Sequence, residues 1–131
     1  MALKTVESPY SVDHTVGRLI DALFRRGITV FARIDHASNA RLAGLELGDE
    51  QVLIFGDPHA GTVLMQADPR VGLELPLRMV VWRRDGATHI GYEEPEGLDE
   101  AYDLAGLEET LVRMGGLLAQ LAAEATMVRA A

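Results

Sequence analysis

Two aspartate-led corners carry the residues best able to do chemistry. One is Ile34-Asp35-His36; the other is Gly56-Asp57-Pro58-His59, followed by Gly61-Thr62. An imidazole beside a carboxylate can act as a general base, so His36, oriented by Asp35 or Asp57, gives an enzyme reading. The second corner favours binding. Asp57 reads as a helix N-cap and Pro58 as the first helical residue, where its missing N–H is no loss. A helix opening there presents unpaired N–H groups at His59 to Gly61, and such ends hold carboxylate or phosphate. Thr62 can add a hydroxyl, and Arg78 can close over the ligand. Against an anion stands Asp57 itself, whose carboxylate can cap the same amides. The candidate ligand-binding residues are His36, Asp57, His59, Gly61, Thr62 and Arg78.

Other chemistries find less support. The chain has 4 histidines but no His-x-x-x-His or His-Glu pattern, so no metal site is read. Ser38 is near His36 only in sequence, and no Gly-x-Ser-x-Gly elbow occurs. A phosphate loop and a dinucleotide fingerprint are both missing, and no cofactor is expected. With 0 cysteines, disulfides, thiolate ligands and thiol nucleophiles are excluded. The net charge of −8 weighs against nucleic acid or an anionic membrane as the main partner. The apolar runs are too short to span a bilayer and the N-terminus lacks a signal pattern, which makes the cytoplasm the expected location.

The elements that must position these residues follow from apolar spacing. A chain of 131 residues forms one domain, 1–131, able to bury about two-thirds of its unfolded surface. Leu3 to Ser8 alternates as a strand. Ser11 caps a helix whose stripe is Val12, Val16, Leu19, Ile20, Leu23 and Phe24, with Gly27 as its left-handed stop. Ile28 to Asp35 alternates again, with Ile28, Val30, Ala32 and Ile34 on one face and Phe31 and Arg33 on the other. Asp35 caps a short helix over His36 to Ala43. Val52 to Phe55 is an unbroken apolar run, hence a buried strand. A short helix follows from Asp57-Pro58 and stops at Asp68-Pro69. Asp85-Gly86 signals a hairpin that sets Trp82 opposite His89 and Val81 opposite Ile90. Leu104, Leu107, Leu111, Met114, Leu118, Leu121 and Ala125 make a seam in a long last helix, read as packing on the sheet of its own domain. Strands clustered between helices at both ends indicate α+β.

Ile34-Asp35-His36, Ala40, Gly44, Ile54-Phe55-Gly56-Asp57-Pro58, Gly61-Thr62-Val63-Leu64-Met65 and Gly72-Leu73-Glu74-Leu75-Pro76-Leu77-Arg78 together resemble the prokaryotic domain-of-unknown-function family 302. The resemblance covers nearly the whole chain. It implies a single antiparallel-rich sheet with helices on one face, the TATA-binding-protein-like β-α-β4-α order with short inserted helices, and frequent homodimers. It supplies no activity and no catalytic residues, and it sets Asp57 where Asn is at least as frequent.

Three readings result. The first is a small-molecule-binding or accessory domain with its pocket between His36, the Gly56–Thr62 corner and Arg78. The second is the His36 enzyme, and the third a structural interaction module without a pocket. A homodimer is expected to cover the sheet face that carries Val80, Trp82 and His89, with Phe31 beside them.

Overall fold

The computed structural model describes residues 2–128. Helix α1 (Val12–Arg25) starts where the Ser11 hydroxyl accepts from the His14 N–H at 3.0 Å. It buries Val12, Val16, Leu19 and Leu23, while Phe24, expected in that stripe, is 82% exposed. Gly27, at φ 67°, turns the chain into β2 (Thr29–Asp35).

Strands β1 (Leu3–Ser8), β2, β3 (Glu50–Gly56), β4 (Leu77–Arg84) and β5 (Ala87–Glu93) form one sheet in the order β1-β5-β4-β3-β2. Every pairing in it is antiparallel. Short helices α2 (His36–Leu42) and α3 (Pro58–Ala67) are inserted around β3, and α4 (Glu108–Thr126) closes the chain. This is the β-α-β4-α order the resemblance implied. The Asp85-Gly86 turn takes φ values of 53° and 79°, and it sets Trp82 opposite His89 and Val81 opposite Ile90 as the turn chemistry required.

The alternation expected along β2 does not hold. A bulge at Phe31 lies between the pairs Val30↔Phe55 and Ala32↔Ile54, so the two halves of the strand present opposite parities. Val30 joins Phe55 over the helices, whereas Ala32 and Ile34 fall on the other face with Ile54 and Val52. Arg33 is thereby brought to the helix side, where it donates to Gln51 Oε1 at 2.8 Å and to Asp13 Oδ1 of α1 at 2.7 Å.

Two cores share α4. The larger sets Leu19 and Leu23 of α1 and Leu118, Leu121 and Ala125 of α4 against Leu53, Phe55, Met79, Val81 and Ile90. The smaller joins Leu64, Val71, Leu98, Leu104, Leu111 and Met114, beyond the sheet. Its extra walls are the 3-10 turns Pro69–Glu74 and Pro95–Glu100. The seam of the last helix therefore packs within its own domain, but only its C-terminal half meets the sheet. Glu96 lies against Gly115 of α4, where a Cβ would collide with its carboxylate. At the other end of α4, Arg18 Nε donates to Ala125 O at 2.9 Å and Tyr10 Oη to Met127 O at 2.6 Å, which satisfies carbonyls the helix leaves unpaired.

A buried carboxylate ties the smaller core together. Asp68 accepts from Arg70 Nη2 at 2.7 Å, Arg70 N–H at 3.0 Å and Asp103 N–H at 2.9 Å. The Arg70 guanidinium foremost, with the Asp103 amide, holds Asp68 far below the usual carboxylate range despite its burial. Tyr102 donates to Glu74 at 3.1 Å beside it, and burial followed by that hydrogen bond raises the phenol.

Candidate ligand cleft

The chain turns from β3 into α3 at Gly56-Asp57-Pro58. Gly56 is buried, and a Cβ there would reach Pro76 at 3.6 Å, so the strand end and the start of β4 lie side by side. Leu75-Pro76-Leu77 thus forms one wall of a cleft and the first turns of α3 another. Met114 and Leu117 of α4 close the floor, and Phe31 reaches in from the bulge of β2. The cleft holds about 290 Å³ and its lining is predominantly apolar. Gly61 matters to its shape: a Cβ there would meet Leu75 at 3.7 Å and Met65 at 3.8 Å, contact distance without overlap. Asp57 and Thr62 are the polar residues at its rim.

The predicted site residues divide into three groups. Asp57, Gly61 and Thr62 line the cleft. His59 lines an adjoining groove on the α1 side, which shares Asp57 and Ala60 with the cleft. His36 and Arg78 lie elsewhere.

The expected meeting of His36 with the corner needs correction. Asp35 pairs with Gln51, whereas Gly56 pairs with Thr29, so His36 sits at the opposite end of β3 from the corner. Five residue steps separate those ends, roughly 17 Å at strand rise. Asp57 cannot orient His36 across that span, and Asp35 is engaged as the cap of α2, accepting from Ser38 N–H at 2.9 Å. The general-base arrangement does not assemble. Arg78, paired with Ile54, points to the face away from the helices and lies 3.7 Å from Glu93. A smaller cleft of about 210 Å³ lies beside that ion pair. The apolar cleft is the stronger candidate, because three elements and the bulge converge on it.

The helix end is also less receptive to an anion than an open one. Asp57 Oδ1 accepts from His59 N–H at 2.9 Å, so α3 carries its own negative cap. Among the described residues, no cluster of three or more His, Cys, Asp or Glu could hold a metal ion. No residue pattern marks Phe31, Met114 and Leu117 as lining. Met114 had a role only in a packing seam, and the bulge that redirects Phe31 has no glycine or proline to mark it.

The fold and cleft define a class: an α+β domain with one five-stranded antiparallel sheet, helices on one face, and an apolar pocket at a sheet end. The chain belongs to the family described as Domain of unknown function DUF302, whose model matches residues 4–125. The crystal structure of an uncharacterized conserved DUF302 protein from Bacillus stearothermophilus matches it with a TM-score of 0.83 at 22% identity, over 95% of this chain and 98% of that one. At that identity the likeness is one of fold. Fluoride-specific ion channel FluC 1 of Brucella suis biovar 1 (strain 1330) is 39% identical over 103 residues, 78% of this chain and 41% of that protein. FluC 1 of Brucella abortus biovar 1 (strain 9-941) is also 39% identical over 103 residues, with 38% of its length covered. The chain spans about two-fifths of the curated relatives it matches. Among the described residues, no helix is long and apolar enough to cross a membrane.

Proposed function

We propose that this domain binds a small, largely apolar molecule in the cleft beneath α3 and serves as an accessory module. The observation that carries the reading is the cleft itself. Its volume of about 290 Å³ is near the lower end for small-molecule sites, and its walls are apolar with a few polar groups at the rim. Titration with a library of small neutral apolar fragments, followed by amide and methyl NMR, tests this. Shifts should concentrate at Gly61, Thr62, Met114 and Leu117. A library that leaves those signals unmoved overturns the reading.

The accessory role draws on the Brucella proteins, in which the matching segment is a part of a larger chain named as a fluoride channel. An accessory segment should be removable from the Brucella suis protein with fluoride efflux from proteoliposomes retained. Complete loss of efflux would count against it. We place the domain in the cytoplasm, in keeping with a chain that has 0 cysteines. A tag on the domain that reacts only with reagents outside the cell would refute that placement.

A homodimer is the second part of the proposal. The sheet face away from α1 and α4 carries Val52, Ile54, Val80, Trp82 and His89, all half-buried. Trp82 stacks on His89 with ring centroids 5.3 Å apart. A second copy of the chain can cover this surface symmetrically. Sedimentation at micromolar concentration should show a dimer that Trp82→Glu converts to a folded monomer; a wild-type monomer would dispose of the idea.

A further inference from the structure

The groove that holds His59 has a different character from the cleft it adjoins. It encloses about 510 Å³ between α3, the end of α1 and the first half of α4. Asp57, Ala60, Met114 and Leu117 line both spaces, so the two meet beneath the first turn of α3. The groove has an apolar floor from Ile28, Val63 and Leu117, but it is edged by Arg26, His59 and Arg113. Arg26 is already committed: it donates to both carboxylate oxygens of Glu124, at 2.7 and 2.8 Å. Arg113 is not. Its one side-chain hydrogen bond is a 3.4 Å contact with Thr110, and it joins no ion pair among the described residues.

We infer that the joined spaces take an amphipathic anion, a carboxylate with a short aliphatic chain. The chain would lie in the apolar cleft and the carboxylate would meet Arg113 in the groove. This inference rests on the cleft reading above and adds the head group to it. The charge order supports it. Asp57 lines both spaces, but its carboxylate is engaged at the helix end by the His59 N–H, whereas Arg113 at the groove edge has no carboxylate partner among the described residues. A neutral head would gain nothing from that exposed, hydrated guanidinium, and a cationic head would be repelled by it. Met114 and Leu117, common to both spaces, offer a continuous apolar path between chain and head.

The test compares octanoate, 1-octanol and octyltrimethylammonium, ligands with one chain and three head groups, each below its aggregation limit. Binding is followed by NMR shifts at Gly61 and Met114. Octanoate should bind about fivefold more tightly than 1-octanol, the scale of one partly exposed charge pair. The cation should bind most weakly. Arg113→Gln, on an exposed helix position, should bring octanoate down to the level of 1-octanol and leave 1-octanol unchanged. Gly61→Leu, which fills the cleft, should abolish both. Equal affinity for octanoate and 1-octanol, or octanoate binding indifferent to Arg113→Gln, would overturn the head-group inference and leave the cleft reading intact. If none of the three ligands shifts cleft signals, both fail.

Discussion

Truncating Leu111 to alanine should cost about 3 kcal/mol of stability. Leu111 is 1% exposed and packs in the smaller core with Leu64, Val71, Leu98, Leu104 and Met114. The change removes three carbons, worth about 2.4 kcal/mol at roughly 0.8 kcal/mol per buried methylene. The residual cavity adds to this at about 24 cal/mol per Å³, and the flexible Met114 limits it by swinging inward. The expected loss is thus about 2–4 kcal/mol, against a total of about 5–15 kcal/mol for a typical domain. Urea unfolding should show a lower midpoint at an unchanged slope. The neighbouring Val112 is 57% exposed, and Val112→Ala should stay within about 0.5 kcal/mol. A Leu111→Ala loss below about 1 kcal/mol, or one matched by Val112→Ala, would show that the smaller core does not hold this half of α4.

Three more expectations follow from other parts of the molecule. A Cβ added at Gly91 would sit 2.8 Å from Trp82 Cζ3, so Gly91→Ala must lift the ring, shift the emission of the sole tryptophan and cost about 1 kcal/mol; an unchanged spectrum would disprove the contact. Asp68 has a folded pKa below its unfolded value of about 3.9, so its contribution is complete above about pH 5 and is lost as pH falls. Asp68→Asn should therefore be less stable at pH 7 and lose less than the parent between pH 5 and pH 3; parallel urea midpoints across that range would contradict this. Arg18→Ala frees carbonyls at the end of α4, so amide exchange in its last turn should quicken while the sheet stays protected. Equal exchange in both proteins would mean that Arg18 does not hold that end.

How far these features could be read in advance depended on whether one residue's chemistry fixed the geometry. Asp85-Gly86 admits few turns, so the hairpin register followed from two residues. Ser11, Asp35 and Asp57 each cap the helix they precede, because a short side-chain acceptor ahead of an apolar stripe has one economical use. The bulge at Phe31 had no such marker, and one extra residue was enough to reverse the faces of Ala32 and Ile34. The distance between His36 and Gly56 was legible in principle. In an antiparallel sheet, the end of one strand lies beside the beginning of the next, so two corners that each follow consecutive strands must fall at opposite ends. The carboxylate hub at Asp68 was hidden because Asp68-Pro69 already had a sufficient explanation as a helix stop. Its partner Asp103 contributes a backbone amide, which no side-chain pattern can announce.

The cleft and the two cores have a common origin in α4. The buried seam from Leu111 to Ala125 is continuous, yet what it packs against changes along its length. Leu118, Leu121 and Ala125 meet α1 and the sheet, whereas Leu111 and Met114 meet α3 and the two 3-10 turns. A rigid helix that serves two separately built surfaces cannot be fitted perfectly to both at their junction, and interiors tolerate little misfit before a gap opens. Met114 and Leu117 stand at that junction, and they form the floor of both the cleft and the groove. Gly61 keeps the space open from above, since any larger side chain there would project toward Leu75 and Met65. A leucine at this position would improve helix propensity by at most roughly 0.8 kcal/mol and bury apolar surface as well. The native glycine thus forgoes stability that is easily gained, which is in keeping with the binding role proposed for the cleft.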